Sequence, residues 1–489
     1  MTSSGTPKLI LAVVDAMKPA MLERAVSTGK APVMKALMQR GNYVADCVAA
    51  FPSVTPVCAA SIATGTGPDR HAIPSMNWYH RDEGRYVEYG TSFGASRAFG
   101  IRRSLTDTIY NMNAEHLSPG VETVFEQLDD RDRRTAGTTY LMYRGRYEHQ
   151  PAKESPLARV ATQVFRKPIL GPREFFYADL FASRKTGCRA TLGMPGVRDQ
   201  HAGCVGSHLE EHDLYDFLLL SLPDNDSHSH RMGPDAQVAT LAEADRQLER
   251  VMHAAGGLDA FLAENALVIC SDHSQTKVEA ACDLFEAFED FVVVPTGGAK
   301  REAGAEIALC PASRSAQIYL LGEDEPALLE RVVATAVPLP GVDLVVHRTG
   351  HPDGEARVVS RRGELRFGPG GPLTDLRGEA WHVDGDLHVL DLETGGGEVA
   401  SATYPDALGR LWSALRCRNS GEVLLSAEPG YEFTDWGGSV HLGGGSHGAL
   451  HAGDSEGVLL WAGPGLPAKA DRRQWTLRDV TPMCTGFFA

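Results

Sequence analysis

Three short runs in this chain are apolar almost throughout: LILAVV at Leu9–Val14, YDFLLLSL at 215–222 and ALVIC at Ala266–Cys270. A strand with one wet face alternates, whereas an unbroken run is what a strand covered on both faces requires, so each is read as an inner strand of a parallel sheet. Between the last two, Val238, Leu241, Ala244, Leu248, Val251 and Met252 recur at helical spacing within 236–262. Strand, helix and strand make a βαβ unit, whose crossover puts the loops that follow both strands on one edge of the sheet. Asp226 and Asp272 fall in those loops. A further helix is predicted over 57–63 and a last strand over 458–462.

Residues 1–81, 205–298 and 427–489 carry this core pattern, and two stretches interrupt it. The first, 82–204, is rich in Arg, Tyr and Gly and is expected to be a cap that contributes one core strand near 138–143. The second, 299–426, is expected to be a smaller α+β insertion. It has hairpin-like runs at 357–367 and 379–392, with Asp384-Gly385 as a turn signal in the latter. No internal repeat or low-complexity tract is present.

Polar residues capable of chemistry cluster where the apolar runs stop. Asp15 ends the first run, where it can bind a metal or cap the next element. In FPSVTP, Thr55 follows a turn and precedes the 57–63 helix, a place suited to an outward hydroxyl and to anionic phosphate, though also to an ordinary N-cap. PDNDSHSH at 223–230 holds two overlapping Asp-x-x-x-His spacings, Asp224/His228 and Asp226/His230. A carboxylate and an imidazole within one short segment suit Zn²⁺ or a similar borderline ion. Asp272-His273 follows the ALVIC strand, and the glycine-rich 437–448 stretch leads into His447, with His451 in reserve and His441 a weaker third.

Composition narrows the class. The 489 residues contain 47 basic and 63 acidic side chains, a formal net charge of -16, which argues against broad binding to nucleic acid or to an anionic membrane. No apolar stretch approaches the ~20 residues that span a bilayer. Asp15 interrupts the first apolar run before a signal-peptide core could form, so a cytoplasmic location is expected. Nine cysteines without a Cys-x-x-Cys fit reduced thiols.

The order Asp15, FPSVTPVCAASIATGTGPDRHAIPSMNWY, PDNDSHSHRMGPD, SDHS and GSHG resembles the alkaline phosphatase superfamily, closest to its type I phosphodiesterase/nucleotide pyrophosphatase branch. The resemblance implies an α/β three-layer sandwich with a central, mostly parallel sheet, enlarged here by the cap and the β-rich insertion. It implies two divalent metal ions, with Zn²⁺ first and Mn²⁺ or Fe fitting the same donors. Asp15, Thr55, Asp272 and His273 would hold one ion, and Asp226, His230 and His447 the other. Asp226/His230 is chosen over Asp224/His228 because His230-Arg-Met-Gly-Pro matches the family's His-x-x-Gly-Pro; its Pro-Asp, however, aligns with Pro223-Asp224, as though two residues were inserted. Asn77 would bind phosphate. The expected activity is hydrolysis of a small phosphate-ester substrate through a phosphothreonine on Thr55, as a phosphodiesterase/nucleotide pyrophosphatase. Phosphomonoesterase, phosphonate hydrolase and an inactive ligand-binding relative are the alternatives. Thr55 in place of Cys or Ser disfavours a sulfatase. Trp78 and Tyr79 are candidates for an apolar ester slot, or else for core.

Overall fold

The computed structural model describes residues 6–151, 167–178, 180–191, 194–296, 304–348 and 354–489. Eight strands make the central sheet: β1 (Leu9–Val14), β2 (Asn42–Val48), β3 (Thr135–Thr138), β4 (Glu174–Tyr177), β5 (Phe181–Ala182), β6 (Phe217–Leu222), β7 (Ala266–Cys270) and β8 (Glu456–Ala462). Their order is β2-β8-β7-β1-β6-β3-β4-β5. The inner pairings are parallel, and antiparallel partners close the edges.

The unbroken apolar runs have the cause inferred for them. Successive side chains of a strand point to opposite faces. Leu9, Leu11 and Val13 pack with Val57, Cys58 and Ile62 of helix α1 (Thr55–Thr64), while Ile10, Ala12 and Val14 pack with Leu22, Leu37, Leu241 and Leu248. Two hydrophobic cores thus sandwich one sheet. The helix predicted over 236–262 is Val238–Ala254 followed by a short Leu258–Leu262 helix, the break falling at Gly256 and Gly257, both with positive φ.

Four expectations need correction. The core strand placed near 138–143 is Thr135–Thr138, because Thr139 takes a left-handed φ of 43° and turns the chain out of the sheet. The 82–204 stretch supplies β4 and β5 to the central sheet as well, where one core strand was expected. Within 379–392, Asp384-Gly385 ends a single strand, Ala380–Gly385, instead of turning a hairpin; that strand pairs with Gly363–Thr374. Cys188 and Cys204 form a disulfide, against the expectation of nine reduced thiols, and the other seven are free and buried. The expected boundary between core and second insertion, at 298/299, lies outside the described residues.

The second insertion builds a sheet of its own, as expected of a β-rich region. Its nine-stranded sheet runs from Ile307–Ala312 to Val423–Ala427 and is antiparallel apart from a single parallel bridge, Thr374 to Glu398. The turn between its first two strands carries Arg314, wholly buried, whose guanidinium pairs with the equally buried Asp454 of the core. Asp454 also accepts from Ala449 N (2.9 Å) and Thr276 Oγ1 (2.5 Å), and Arg314 N donates to His447 O (2.9 Å). Among the described residues no helix is long and apolar enough to cross a membrane.

Replacing Asp454 by Ala would leave Arg314 an uncompensated buried charge, a change that costs ~3–5 kcal/mol. Chemical denaturation of the variant is expected to show a loss of that size.

Candidate active site

The parallel strands deliver the chemistry to one edge. β1 and β7 are neighbours, so the residues just past their carboxyl ends meet. Asp15 N donates to Leu222 O (3.1 Å), and Ala16, at φ 55°, bends the chain away. Asp272 Oδ1 then accepts from Ala16 N (3.0 Å) and from His273 N (2.9 Å). This sharp turn is what lets adjacent Asp272 and His273 serve one place.

Past β6, the segment read as a loop is helix α2 (Asp224–Met232). Residues four apart lie on one helical face, and residues two apart are rotated by about 200°. Asp226 and His230 therefore act as a pair, with Oδ1 to Nε2 at 3.3 Å, and Asp224 and His228 cannot share their face. Asp224 has other work: it accepts from Arg198 Nε (2.8 Å), Gly196 N (2.8 Å) and Asp199 N (3.1 Å). His447 Nε2 stands 3.8 Å from Asp226 Oδ1, whereas His451 caps a short helix through Gly453 N.

Thr55 is the first residue of α1; Val54 is the N-cap, and no side chain caps this helix. The hydroxyl is free of that duty, and Thr55 Oγ1 lies 3.1 Å from His273 Nε2. The candidate ligands form two triads, Asp15/Asp272/His273 and Asp226/His230/His447, each with one ligand atom per residue all within 4.8 Å of one another. Asn77 joins neither. It is fully buried, and its amide donates to Pro311 O (2.6 Å) and Thr91 Oγ1 (3.2 Å) while Oδ1 has no partner among the described residues. Trp78 and Tyr79 are each 1% exposed, so they are core and not a substrate slot.

The donor set suits cations. Nδ1 of His230, His447 and His273 faces Gly445 O (2.8 Å), Ser53 O (2.8 Å) and Ser274 O (3.1 Å). A carbonyl only accepts, so each Nδ1 carries the proton; a neutral ring then turns its Nε2 lone pair toward the carboxylates. Burial lowers His273 to about 4 and His447 to about 3, which keeps them neutral. Burial, then Asp272 and Asp226, raises Asp15 far above the usual carboxylate range, and burial raises Asp272 to about 6. Asp15 Oδ1 is buried without a hydrogen-bond partner among the described residues. Asp226 is held low despite burial, because His230 sits beside it, and His230 is correspondingly raised. Carboxylate oxygens crowded against imidazole lone pairs call for positive charge, and this mixture of N and O donors fits Zn²⁺, Mn²⁺ or Fe.

Three residues at the site went unread in the sequence. Gln275 Nε2 donates to Asp226 Oδ1 (2.5 Å); Ser53 presents its carbonyl to His447 and its Oγ to Ala449 O (2.8 Å); Glu432 grips the loop before His447. Ser53 lies inside the FPSVTP run, but its role depends on a carbonyl, which every residue has.

The model of the type I phosphodiesterase / nucleotide pyrophosphatase family matches residues 9–449, from β1 to just past His447. The chain belongs to this family. No curated protein matches it. Among solved structures, this family member is similar to phosphonoacetate hydrolase from Sinorhizobium meliloti 1021 in complex with phosphonoacetate. Identity is 17% and the TM-score 0.56, over 99% of this chain and 97% of the other. It is also similar to murine ectonucleotide pyrophosphatase / phosphodiesterase 5, at 12% identity and TM-score 0.56 over 98% and 94%. At such identities the likeness is one of fold.

Protons and cations compete for these carboxylates. With Asp272 raised to about 6 from 3.8, its contribution to stability is complete below the ordinary value and is lost as pH rises through about 6 in metal-free protein. Added divalent cation is therefore expected to raise the melting temperature more at pH 7 than at pH 5, measured on the same metal-free stock.

Proposed function

We propose that this chain is a two-metal phosphoric ester hydrolase, a phosphodiesterase/nucleotide pyrophosphatase that works through a phosphothreonine on Thr55. The observation that carries the reading is the Thr55 hydroxyl, free of capping and 3.1 Å from His273 Nε2, at the N-terminus of α1 beside two acidic and histidine-bearing triads. Two divalent cations, Zn²⁺ by preference, held by Asp15, Thr55, Asp272 and His273 and by Asp226, His230 and His447, would supply charge to the phosphoryl oxygens and acidify the reacting hydroxyls.

The residues do the rest. Thr55 Oγ gives up its proton and bonds to phosphorus while the bond to the departing ester oxygen breaks, and that oxygen takes up a proton. The N-terminal end of α1 adds its partial positive charge beside the phosphoryl group. Water then breaks the Oγ–phosphorus bond and restores the hydroxyl. Ser53 and Gly445 keep His447 and His230 in one tautomer throughout. Asn77 is our candidate for a phosphate-binding residue: its Nδ2 donates to Pro311 O and Thr91 Oγ1, and would turn from one of these partners to donate to a phosphoryl oxygen.

A second reading is phosphonate hydrolysis on the same site, favoured by the near end-to-end match to phosphonoacetate hydrolase. Paired mono- and diester aryl phosphates and a phosphonate, assayed with Zn²⁺, Mn²⁺ and Fe²⁺ added separately, distinguish the two. The diester is expected to turn over fastest. Thr55→Ala is expected to lower kcat by at least roughly a thousandfold. Acid-quenched wild type should carry phosphate on Thr55; hydrolysis at the wild-type rate by the variant would overturn the assignment.

A further inference from the structure

The segment 441–446, His-Leu-Gly-Gly-Gly-Ser, is held at both ends by one carboxylate. Glu432, on the short strand Tyr431–Phe433, is 2% exposed. Its Oε2 accepts from His441 N (2.6 Å), and its Oε1 accepts from His441 Nδ1 (2.8 Å) and from Ser446 Oγ (2.6 Å). The C-terminal end of this loop also pairs with the backbone of 276–278, Gly445 and Ser446 lying opposite Lys277 and Thr276 and Gly443 N donating to Val278 O (2.9 Å), so the carboxylate adds a side-chain clamp to a short ladder.

What the loop carries explains why its shape matters. Gly445 O receives the Nδ1 proton of His230, the His441 ring lies against the His230 ring with centroids 4.2 Å apart and planes tilted by 34°, and the residue after Ser446 is His447. The glycines let the loop press onto α2: a Cβ on Gly444 would meet His230 O at 1.9 Å, and one on Gly445 would meet Gln275 Oε1 at 2.3 Å. Such a loop has little side-chain packing of its own to fix it, and glycine costs the most order on folding.

We propose that Glu432 is a positioning residue for the Asp226/His230/His447 triad, fixing through the 441–446 loop both the tautomer of His230 and the placement of His447, so that this triad and not the other depends on it for cation affinity. The inference rests on the two-metal reading above. It assigns Glu432 no contact with substrate.

The test is titration of metal-free full-length protein with Co²⁺, followed by visible absorption, and with Zn²⁺, followed by calorimetry. Wild type is expected to take two ions per chain. In Glu432→Gln, which keeps the shape and loses the charge, and in Glu432→Ala, one ion is expected to bind as in wild type. The other should bind about 10–100-fold more weakly, the range found for loss of an outer-sphere partner. Glu432→Asp is expected to recover part of that loss. The melting temperature of the metal-free variants should change less than that of the metal-loaded ones. Two ions bound with wild-type affinity, an equal weakening of both, or an equal drop in both melting temperatures would overturn the proposal. If Glu432→Ala does not fold, Glu432→Gln decides. A wild type that takes fewer than two ions overturns the two-metal reading itself, and is seen before any variant is made.

Discussion

Three carboxylates brought together out of water repel one another, and imidazole lone pairs aimed at them make the repulsion worse. Asp15, Asp226 and Asp272 stand in this relation to His273 and His447 at the carboxyl edge of the central sheet, while His230, raised beside Asp226, eases it for that carboxylate. The fold tolerates it because every backbone support is fixed from outside the cluster: Asp272 takes two N–H donors from the β1 and β7 turns, and each imidazole is pinned by a carbonyl. The apolar packing on both sides of the sheet meets the cost of this arrangement.

The sequence made the inner strands legible because burial on both faces leaves no choice but continuous apolar side chains. It made the triad residues legible because few other roles account for Asp and His packed at the ends of such strands. What it hid was conformational. The 223–230 segment has almost no apolar residues from which to read a helical period, so its helix was invisible, and with it the rotation that separates Asp224 from Asp226. Thr139 and Gly385 end strands through φ values that composition only weakly signals. The disulfide joins cysteines sixteen residues apart, a spacing with no motif behind it. Gln275, Ser53 and Glu432 act through hydrogen bonds between loops, for which a lone sequence carries no mark.

The nine-stranded insertion is structurally continuous with the site. Arg314 reaches from its first turn into the core, and the same residue's N–H holds His447 O. Glu432 follows its last strand, Val423–Ala427, by a few residues. One of the supports for His447, the Arg314 N–H, thus comes from a region that contributes none of the candidate ligands.

Ser53 bears on how the site can move. Its N–H takes Gly448 O, its Oγ takes Ala449 O and its carbonyl takes His447 Nδ1, while two residues later the chain presents Thr55. The hydroxyl and the far imidazole therefore share one mechanical coordinate: a displacement of either is a displacement of both. Adaptation to substrates of different bulk would then fall to residues outside this linked pair.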